Sequence, residues 1–162
     1  MIFALQNRGL KQNISLLLMN NEILQANDIA KPIKAFDIDS NKVDIHYNSS
    51  KRTVLYIFST HCEPCKINIP NWIQLTTKMN NDIQVIGISL DPVSEIRTFA
   101  QKNSLNFKVY ATVGMQFKID YKAFSTPQTV IINNDGIVIG AYSGVLNKIN
   151  VPKILADLSI RY

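Results

Sequence analysis

Two patterns of apolar residues alternate along this chain of 162 residues. Short runs rich in β-branched and aromatic residues, such as Thr53 to Phe58 and Ile83 to Leu90, predict buried strands. Longer stretches carry apolar residues at helical spacing among polar ones and predict helices that lie against a core. Strands are predicted over residues 33–38, 43–47, 53–58, 83–90, 107–110, 128–132 and 137–142. Helices are predicted over residues 63–78, 92–102, 114–119 and 148–159.

Turn-forming residues between these elements predict how the strands pair. Asp39 to Asn41 predicts a hairpin between the first two strands, and the Asp135-Gly136 pair predicts another between the last two. The strand, helix and strand over residues 53–90 predict a right-handed parallel crossover. The pattern therefore predicts an α/β domain with both parallel and antiparallel strand pairs.

Three details of the helices are also predicted. Asp91 is expected to be the N-cap of the helix that begins at Pro92. Pro70, inside the first helix, is expected to kink it. The last helix has Asn147 near its start and a predicted buried face formed by Ile149, Ile154, Leu155 and Leu158.

The first 30 residues are expected to form a helical extension, with Leu10, Ile14, Leu17 and Leu18 at helix-like spacing. The domain proper is predicted over residues 31–162. No apolar run approaches the roughly 18 residues that a membrane span needs. The run 14–19 is too short for the apolar segment of a signal peptide, so a soluble chain is expected.

Charge gives little indication of a partner. The formal net charge is +5, and the basic residues are dispersed along the chain rather than gathered in a stripe. This distribution favours a solvated basic surface over nucleic-acid binding.

The two cysteines, Cys62 and Cys65, follow the strand over residues 53–58 directly. Two thiols three positions apart at a helix start share a face, with Cβ atoms about 5 to 6 Å apart, so small adjustments allow a disulfide. Backbone N–H groups at the helix N-terminus stabilise a thiolate at Cys62. Cys62 is therefore predicted as the nucleophile and Cys65 as the resolving thiol.

Two other uses of this pair are weaker. A structural zinc needs about four ligands, and beyond the cysteines the chain offers only His46 and His61 as imidazole ligands, so no metal site is expected. A purely structural disulfide would close a loop too short to remove much chain entropy.

The strand, the C-x-x-C pair at a helix start and the later hairpin together resemble the thioredoxin superfamily. From about residue 29 to 147 the chain is similar to extracytoplasmic thiol-disulfide oxidoreductases of the TlpA/ResA type, close to the redoxin and peroxiredoxin-like branch. The segments that match are 31–38, 62–66, 86–91 and 125–129. The resemblance implies a thioredoxin-like fold, with a central mixed sheet flanked by helices and the N-terminal extension before it.

The resemblance also implies the remaining site residues. It places a cis-proline opposite the dithiol, and Thr126-Pro127 is the matching position. Thr126 would pair through its backbone with an extended substrate, and Pro127 would keep an N–H group away from the sulfur atoms. His61, Glu63 and Pro64 would border the bound substrate.

Charged neighbours are expected to tune Cys62. Protonated His61 and Lys66 would favour the thiolate, whereas Glu63 would disfavour it, so the effects of Glu63 and Lys66 should partly cancel.

The chain departs from the family pattern at three positions. His61 stands where tryptophan is common, Asn68 where an acidic residue is frequent, and Tyr56 where thioredoxins have a buried aspartate. Proton transfer at Cys65 therefore lacks an obvious carboxylate.

The function implied is a thiol-disulfide oxidoreductase that reduces protein disulfides outside the cytoplasm, including those of apocytochrome c. It would need no cofactor beyond its own redox-active disulfide. Its expected partners are protein thiols or disulfides and a membrane thiol reductase, with membrane attachment through a segment outside this chain. A monomer in the periplasm, or held facing outward at the membrane, is expected.

Two alternatives remain open from the sequence. One is a peroxiredoxin-like peroxidase, in which Thr60 would support Cys62 and either Arg52 or Arg97 would polarise the peroxide. The other is a copper chaperone that uses both cysteines and a histidine, since soft thiolates suit Cu(I).

Overall fold

The computed structural model describes residues 22–47, 51–112 and 114–159. Within them, seven strands form one sheet in the order β2-β1-β5-β4-β3-β6-β7. The strands are β1 Ile33–Phe36, β2 Lys42–Ile45, β3 Arg52–Phe58, β4 Ile83–Ser89, β5 Lys108–Ala111, β6 Gln128–Ile132 and β7 Val138–Ser143. The helices are α1 Glu63–Thr76, α2 Val93–Lys102, α3 Met115–Asp120 and α4 Asn150–Ser159.

The sheet is mixed, as predicted. Strands β3, β4 and β5 are parallel neighbours, whereas β6 runs antiparallel to both β3 and β7. Strand β1 pairs antiparallel with β2 and, through Phe36, with β5. Both predicted hairpins and the parallel crossover are therefore confirmed.

Strand β3 lies inside the sheet, and its side chains from Thr53 to Phe58 are buried on both faces. Leu55 and Ile57 belong to one core cluster, and Tyr56 and Phe58 belong to the other, which includes Trp72 of α1. A strand covered on both faces leaves no polar face, which explains its continuous apolar sequence. This burial fixes the end of β3, where the cysteines follow.

Two predictions about helices are wrong. The N-cap of α2 is Pro92 rather than Asp91, and no side chain caps that helix. On α4, Ile154 and Leu158 are buried as expected, but Ile149 and Leu155 are exposed. Ile149 precedes the first residue of α4 and therefore does not share its buried face.

The position of Asn147 at the start of α4 agrees with the sequence, and the kink expected at Pro70 stays a prediction. Asn147 accepts hydrogen bonds from the backbone N–H groups of Ile149 and Asn150 at the start of α4, as its position predicted. Helix α1 runs without interruption through Pro70. Among the described residues, no helix combines the length and the apolar character that crossing a bilayer requires.

The segment before β1 packs on the domain. Leu24 and Ala30 are buried in the core, and Ile29 forms a bridge with Ile137. Residues 22–30 form turns and this bridge rather than a helix. The helix predicted over the first residues of the chain falls on 1–21, outside the described residues, so the boundary at residue 31 stays a prediction.

Candidate active site

Cys62 and Cys65 lie where β3 ends and α1 begins, and they form a disulfide with 5.2 Å between their Cα atoms. Cys62 is the N-cap of α1, and its Sγ accepts a hydrogen bond of 3.2 Å from the backbone N–H of Cys65. Cys62 is partly exposed, whereas Cys65 is fully buried. The two sulfurs are thus unequal, and Cys62 is the one that a partner molecule can reach.

The loop before β6 faces Cys62. The peptide bond between Thr126 and Pro127 is cis, and the carbonyl oxygen of Thr126 lies 3.6 Å from Sγ of Cys62. The loop is fixed because β6 begins at Gln128, which pairs with Ile57 near the end of β3. The structure therefore brings the predicted residues Thr126 and Pro127 together with the dithiol.

Tyr56 lies beneath the buried cysteine. Its hydroxyl donates a hydrogen bond of 3.0 Å to the carbonyl oxygen of Cys65. Burial raises the pKa of Tyr56, with the side chain of Asn68 acting in the opposite direction, so this residue is a neutral hydroxyl at ordinary pH. A hydroxyl therefore stands where thioredoxins have a carboxylate.

Asn68 faces the interior from the same helix. Its Oδ1 accepts a hydrogen bond of 2.9 Å from the backbone N–H of Leu146, while its Nδ2 meets no acceptor in hydrogen-bond geometry among the described residues. Asn68 thus ties α1 to the segment between β7 and α4.

Ion pairs form the exposed rim of the site. His61 Nε2 lies 2.6 Å from Glu95 Oε2, and Lys66 Nζ lies 2.6 Å from Glu63 Oε1. Glu63 and Lys66 pair with each other, and the expected cancellation of their effects on Cys62 stays a prediction. Pro64 is exposed in the first turn of α1, beside this rim.

Sequence reasoning missed the part that Asp91 and Glu95 have in this site. Asp91 accepts hydrogen bonds from the backbone N–H of Thr60 and from the Ser59 hydroxyl at 3.2 Å, both in the loop before Cys62. Glu95 accepts from the Thr60 hydroxyl at 3.2 Å as well as contacting His61. The sequence did contain a signal for this role. Asp91 follows β4, whose end lies next to the end of the parallel strand β3, where the loop to Cys62 begins.

Burial raises the pKa of Asp91, but the hydrogen bonds from Thr60, Ser59 and Ser89 outweigh it and leave that pKa below its usual value. Ligand atoms of His61, Asp91 and Glu95 lie within 4.8 Å of one another, so these three are the side chains best placed to approach one cation. Both cysteines lie outside this group.

Two of the clefts among the described residues differ in how near they lie to the disulfide. One of about 1140 Å³ is lined by Met79, Ile83 and Val109, away from the disulfide. The other, of about 380 Å³, is lined by Asp91, Met115 and Lys118, and it adjoins the loop before Cys62 through Asp91.

Comparison with known proteins places the chain in a family. The sequence model of the AhpC/TSA family matches residues 26–141. The chain belongs to the AhpC/TSA family. It is similar to the thiol-disulfide oxidoreductase ResA of Halalkalibacterium halodurans, with 20% identity over 110 residues. That match covers 67% of this chain and 62% of the relative, which is less than two thirds of the relative's length.

Solved structures show the same fold. StoA from Bacillus subtilis aligns with a TM-score of 0.64 and 15% identity, covering 77% of this chain and 96% of StoA. Peroxidoxin BcpB from Mycobacterium tuberculosis aligns with a TM-score of 0.74 and 17% identity, covering 86% of this chain and 99% of BcpB. The thioredoxin-like fold implied by the sequence resemblance is therefore confirmed.

Within this family the peroxidase alternative required an arginine beside Cys62. Arg52 instead donates to the carbonyl oxygen of Leu158, at the end of β3 remote from the cysteines. Arg97 donates a hydrogen bond of 2.6 Å to the carbonyl oxygen of Ile38. Arg52 thus lies at the opposite end of β3 from Cys62, and the guanidinium of Arg97 is hydrogen-bonded to Ile38.

Proposed function

We propose that this AhpC/TSA family chain is a thiol-disulfide oxidoreductase that works through the Cys62–Cys65 couple. The observation that carries the proposal is the pairing of a partly exposed N-cap sulfur with a buried second sulfur, next to the Thr126 carbonyl. Such a pair can exchange its bond with a partner's bond and then close on itself.

The geometry supports a two-step reduction. In the reduced protein, the Cys62 thiolate attacks one sulfur of a substrate disulfide and releases the other as a thiolate that takes up a proton. Cys65 then loses its proton and attacks Cys62, which releases the second substrate thiol and restores the protein disulfide. Two electrons pass to the substrate, and its two sulfurs take up the proton of Cys65 and one from the solvent, which replaces the proton that Cys62 had released.

Two features of the site assist these steps. The backbone N–H of Cys65 points at Sγ of Cys62, which stabilises the thiolate. The Thr126 carbonyl beside that sulfur offers a hydrogen-bond acceptor to an extended substrate backbone. His61, Glu63 and Pro64 are exposed around the same sulfur and would border the bound chain.

The substrates proposed are protein disulfides outside the cytoplasm, with those of apocytochrome c among them. Electrons would come from a membrane thiol reductase, and the protein would act as a monomer without a cofactor beyond its disulfide. Support for this narrower role comes from the sequence resemblance to the TlpA/ResA type. The similarity to ResA, whose name states a thiol-disulfide oxidoreductase, supports the activity itself.

The matched variants Cys62→Ser and Cys65→Ser test the activity, since they remove the accessible and the buried sulfur separately. We expect Cys62→Ser to abolish reduction of a protein disulfide such as that of insulin, and Cys65→Ser to accumulate a mixed disulfide at Cys62 that mass spectrometry detects. Equal accumulation in both variants would contradict the assignment. Peroxide turnover that survives Cys65→Ser would show a thiol peroxidase instead.

A further inference from the structure

Asp91 joins two segments at the edge of the sheet that carries the dithiol. Its carboxylate accepts from the Thr60 backbone N–H, from the Ser59 hydroxyl, and from the Ser89 hydroxyl at 3.1 Å. Ser59 and Thr60 follow β3, and Ser89 is the last residue of β4. One side chain therefore fixes the loop that leads into Cys62 against the neighbouring strand.

The groups that donate hydrogen bonds to Asp91 are all neutral, whereas the other carboxylates of the site have charged or ionisable partners. Glu63 has Lys66 as its cationic partner, and Glu95 is paired with His61. No lysine, arginine or histidine lies within 4.0 Å of the Asp91 carboxylate in the part of the chain that the structure describes. Lys118 lines the same cleft as Asp91 without pairing with it.

Asp91 is close enough to influence the sulfur of Cys62. Its carboxylate lies 2.5 Å from the backbone nitrogen of Thr60, and the chain from there to the Cα atom of Cys62 adds at most about 8 to 9 Å, so the whole path is about 11 Å or less. That length is comparable to the Debye length of about 8 to 10 Å at moderate salt. A negative charge at this distance disfavours a thiolate by like-charge repulsion.

We propose that Asp91 is a positioning residue for the dithiol, holding the loop before Cys62 and placing there a negative charge without a directly paired cation, which makes the couple more reducing. His61 lies within 4.8 Å of this carboxylate but is paired with Glu95. This inference rests on the proposed function, and it favours transfer of electrons from the protein to its substrate. The charge destabilises the reduced, thiolate-bearing protein but not the neutral disulfide. The protein therefore gives its electrons up more readily.

The relevant equilibrium is that of the protein disulfide with two glutathione thiols, which yields the protein dithiol and glutathione disulfide. It transfers two electrons and balances in sulfur and protons. Asp91→Asn removes the charge but keeps an acceptor oxygen for Thr60. Asp82→Asn is the matched control, because Asp82 is an exposed carboxylate just before β4, at the opposite end of that strand from Asp91.

We expect Asp91→Asn to increase the equilibrium constant for reduction by about threefold to tenfold above the pKa of Cys62. The pH midpoint for alkylation of Cys62 should fall, since the thiolate becomes easier to form. The other charged side chains of this region are unchanged in this comparison: His61, Glu63, Lys66, Glu95 and Lys118. Asp82→Asn should give the same constant and midpoint as the wild type. An unchanged constant and midpoint in Asp91→Asn would overturn the proposal.

A second substitution tests the charge without touching the hydrogen bonds. Met115 is exposed and lines the cleft beside Asp91, so Met115→Lys adds a cation there, with Met115→Gln as its neutral control. Met115→Lys should shift the constant and the alkylation midpoint in the same direction as Asp91→Asn. Equal values for the Lys and Gln variants would count against the charge effect even if Asp91→Asn failed to fold.

Failure of this inference is distinguishable from failure of the proposed function. The glutathione equilibrium and the alkylation profile report the Cys62–Cys65 couple whether or not the protein reduces a substrate. A wild type that equilibrates with glutathione but reduces no protein disulfide would refute the function alone. Loss of the Asp91 effect in an active enzyme would refute the inference alone.

Discussion

At the scale of single residues, Tyr56 joins the redox centre to the core. Its ring is stacked on Phe58 at a centroid distance of 5.1 Å and contacts Trp72 at 4.8 Å, while its hydroxyl reaches the carbonyl oxygen of Cys65. The aromatic contacts hold the ring whether or not the hydroxyl is present. The hydrogen bond between β3 and the first turn of α1 can therefore be removed without disturbing the packing of the ring.

Tyr56→Phe tests the contribution of this hydrogen bond to stability. We expect the free energy of unfolding of the oxidised protein to fall by about 1 kcal/mol, the usual contribution of one buried hydrogen bond, because the packing of the ring is retained. Urea unfolding followed by circular dichroism measures it. Tyr110→Phe is the control, since the Tyr110 hydroxyl makes no hydrogen bond within the described segments. Equal losses in the two variants would argue against a role for the Tyr56 hydroxyl.

At the scale of elements, β4 depends on a residue without a side chain. A Cβ added at Gly87 would lie 2.8 Å from Cγ1 of Val109, with ring carbons of Phe107 and Phe58 at 3.1 and 3.2 Å. Val109 lies on the paired strand β5 and has a branched side chain of restricted rotation, so it cannot simply swing away. The close packing of this face over β3, β4 and β5 thus requires glycine at position 87.

Gly87→Ala is expected to lower the free energy of unfolding by about 1 to 3 kcal/mol through overpacking. Combining it with Val109→Ala should cost less than the sum of the two single changes, because the second substitution makes room for the new methyl group. Denaturant unfolding of the four proteins measures this coupling. Strict additivity would show that the Val109 contact is not the cause.

The same scale shows what the sequence could predict. Strands β3, β4 and β6 and both hairpins were predictable because their apolar runs and turn residues act locally. The partners of Asp91 were not, because a local pattern before Pro92 favours an N-cap, whereas the side chain bonds to Thr60, distant in sequence. Cys62 and Cys65 could be recognised from spacing alone, but the contact between His61 and Glu95 required the tertiary structure.

At the scale of the whole molecule, three aspartates hold segments in place, Asp37 within one turn and Asp91 and Asp120 between parts of the chain that are distant in sequence. Asp37 accepts hydrogen bonds from Asn41 in the turn between β1 and β2, and Asp120 accepts from Lys31 and so links α3 to the segment before β1. Asp91 fixes the loop before Cys62. The hydrogen bonds from Asn41 lower the pKa of Asp37, and that from Lys31 lowers the pKa of Asp120.

These lowered pKa values predict how stability depends on pH. A carboxylate whose pKa is lower in the folded state contributes stability above its unfolded pKa of about 3.9, and this contribution disappears as the pH falls through the folded pKa. We therefore expect the free energy of unfolding to fall below about pH 4. Asp37→Asn should be less stable than the wild type at pH 7, and the difference should shrink as the pH falls through the folded pKa of Asp37, because protonation removes the charge that the Asn41 hydrogen bonds stabilise. Asp44→Asn, which changes an exposed carboxylate on β2 with no hydrogen bond among the described residues, should follow the wild type throughout. Urea unfolding curves from pH 2 to 7 measure the free energy of unfolding of all three proteins. If the difference in this free energy between Asp37→Asn and the wild type stayed constant with pH, Asp37 would act through its shape and not through its charge.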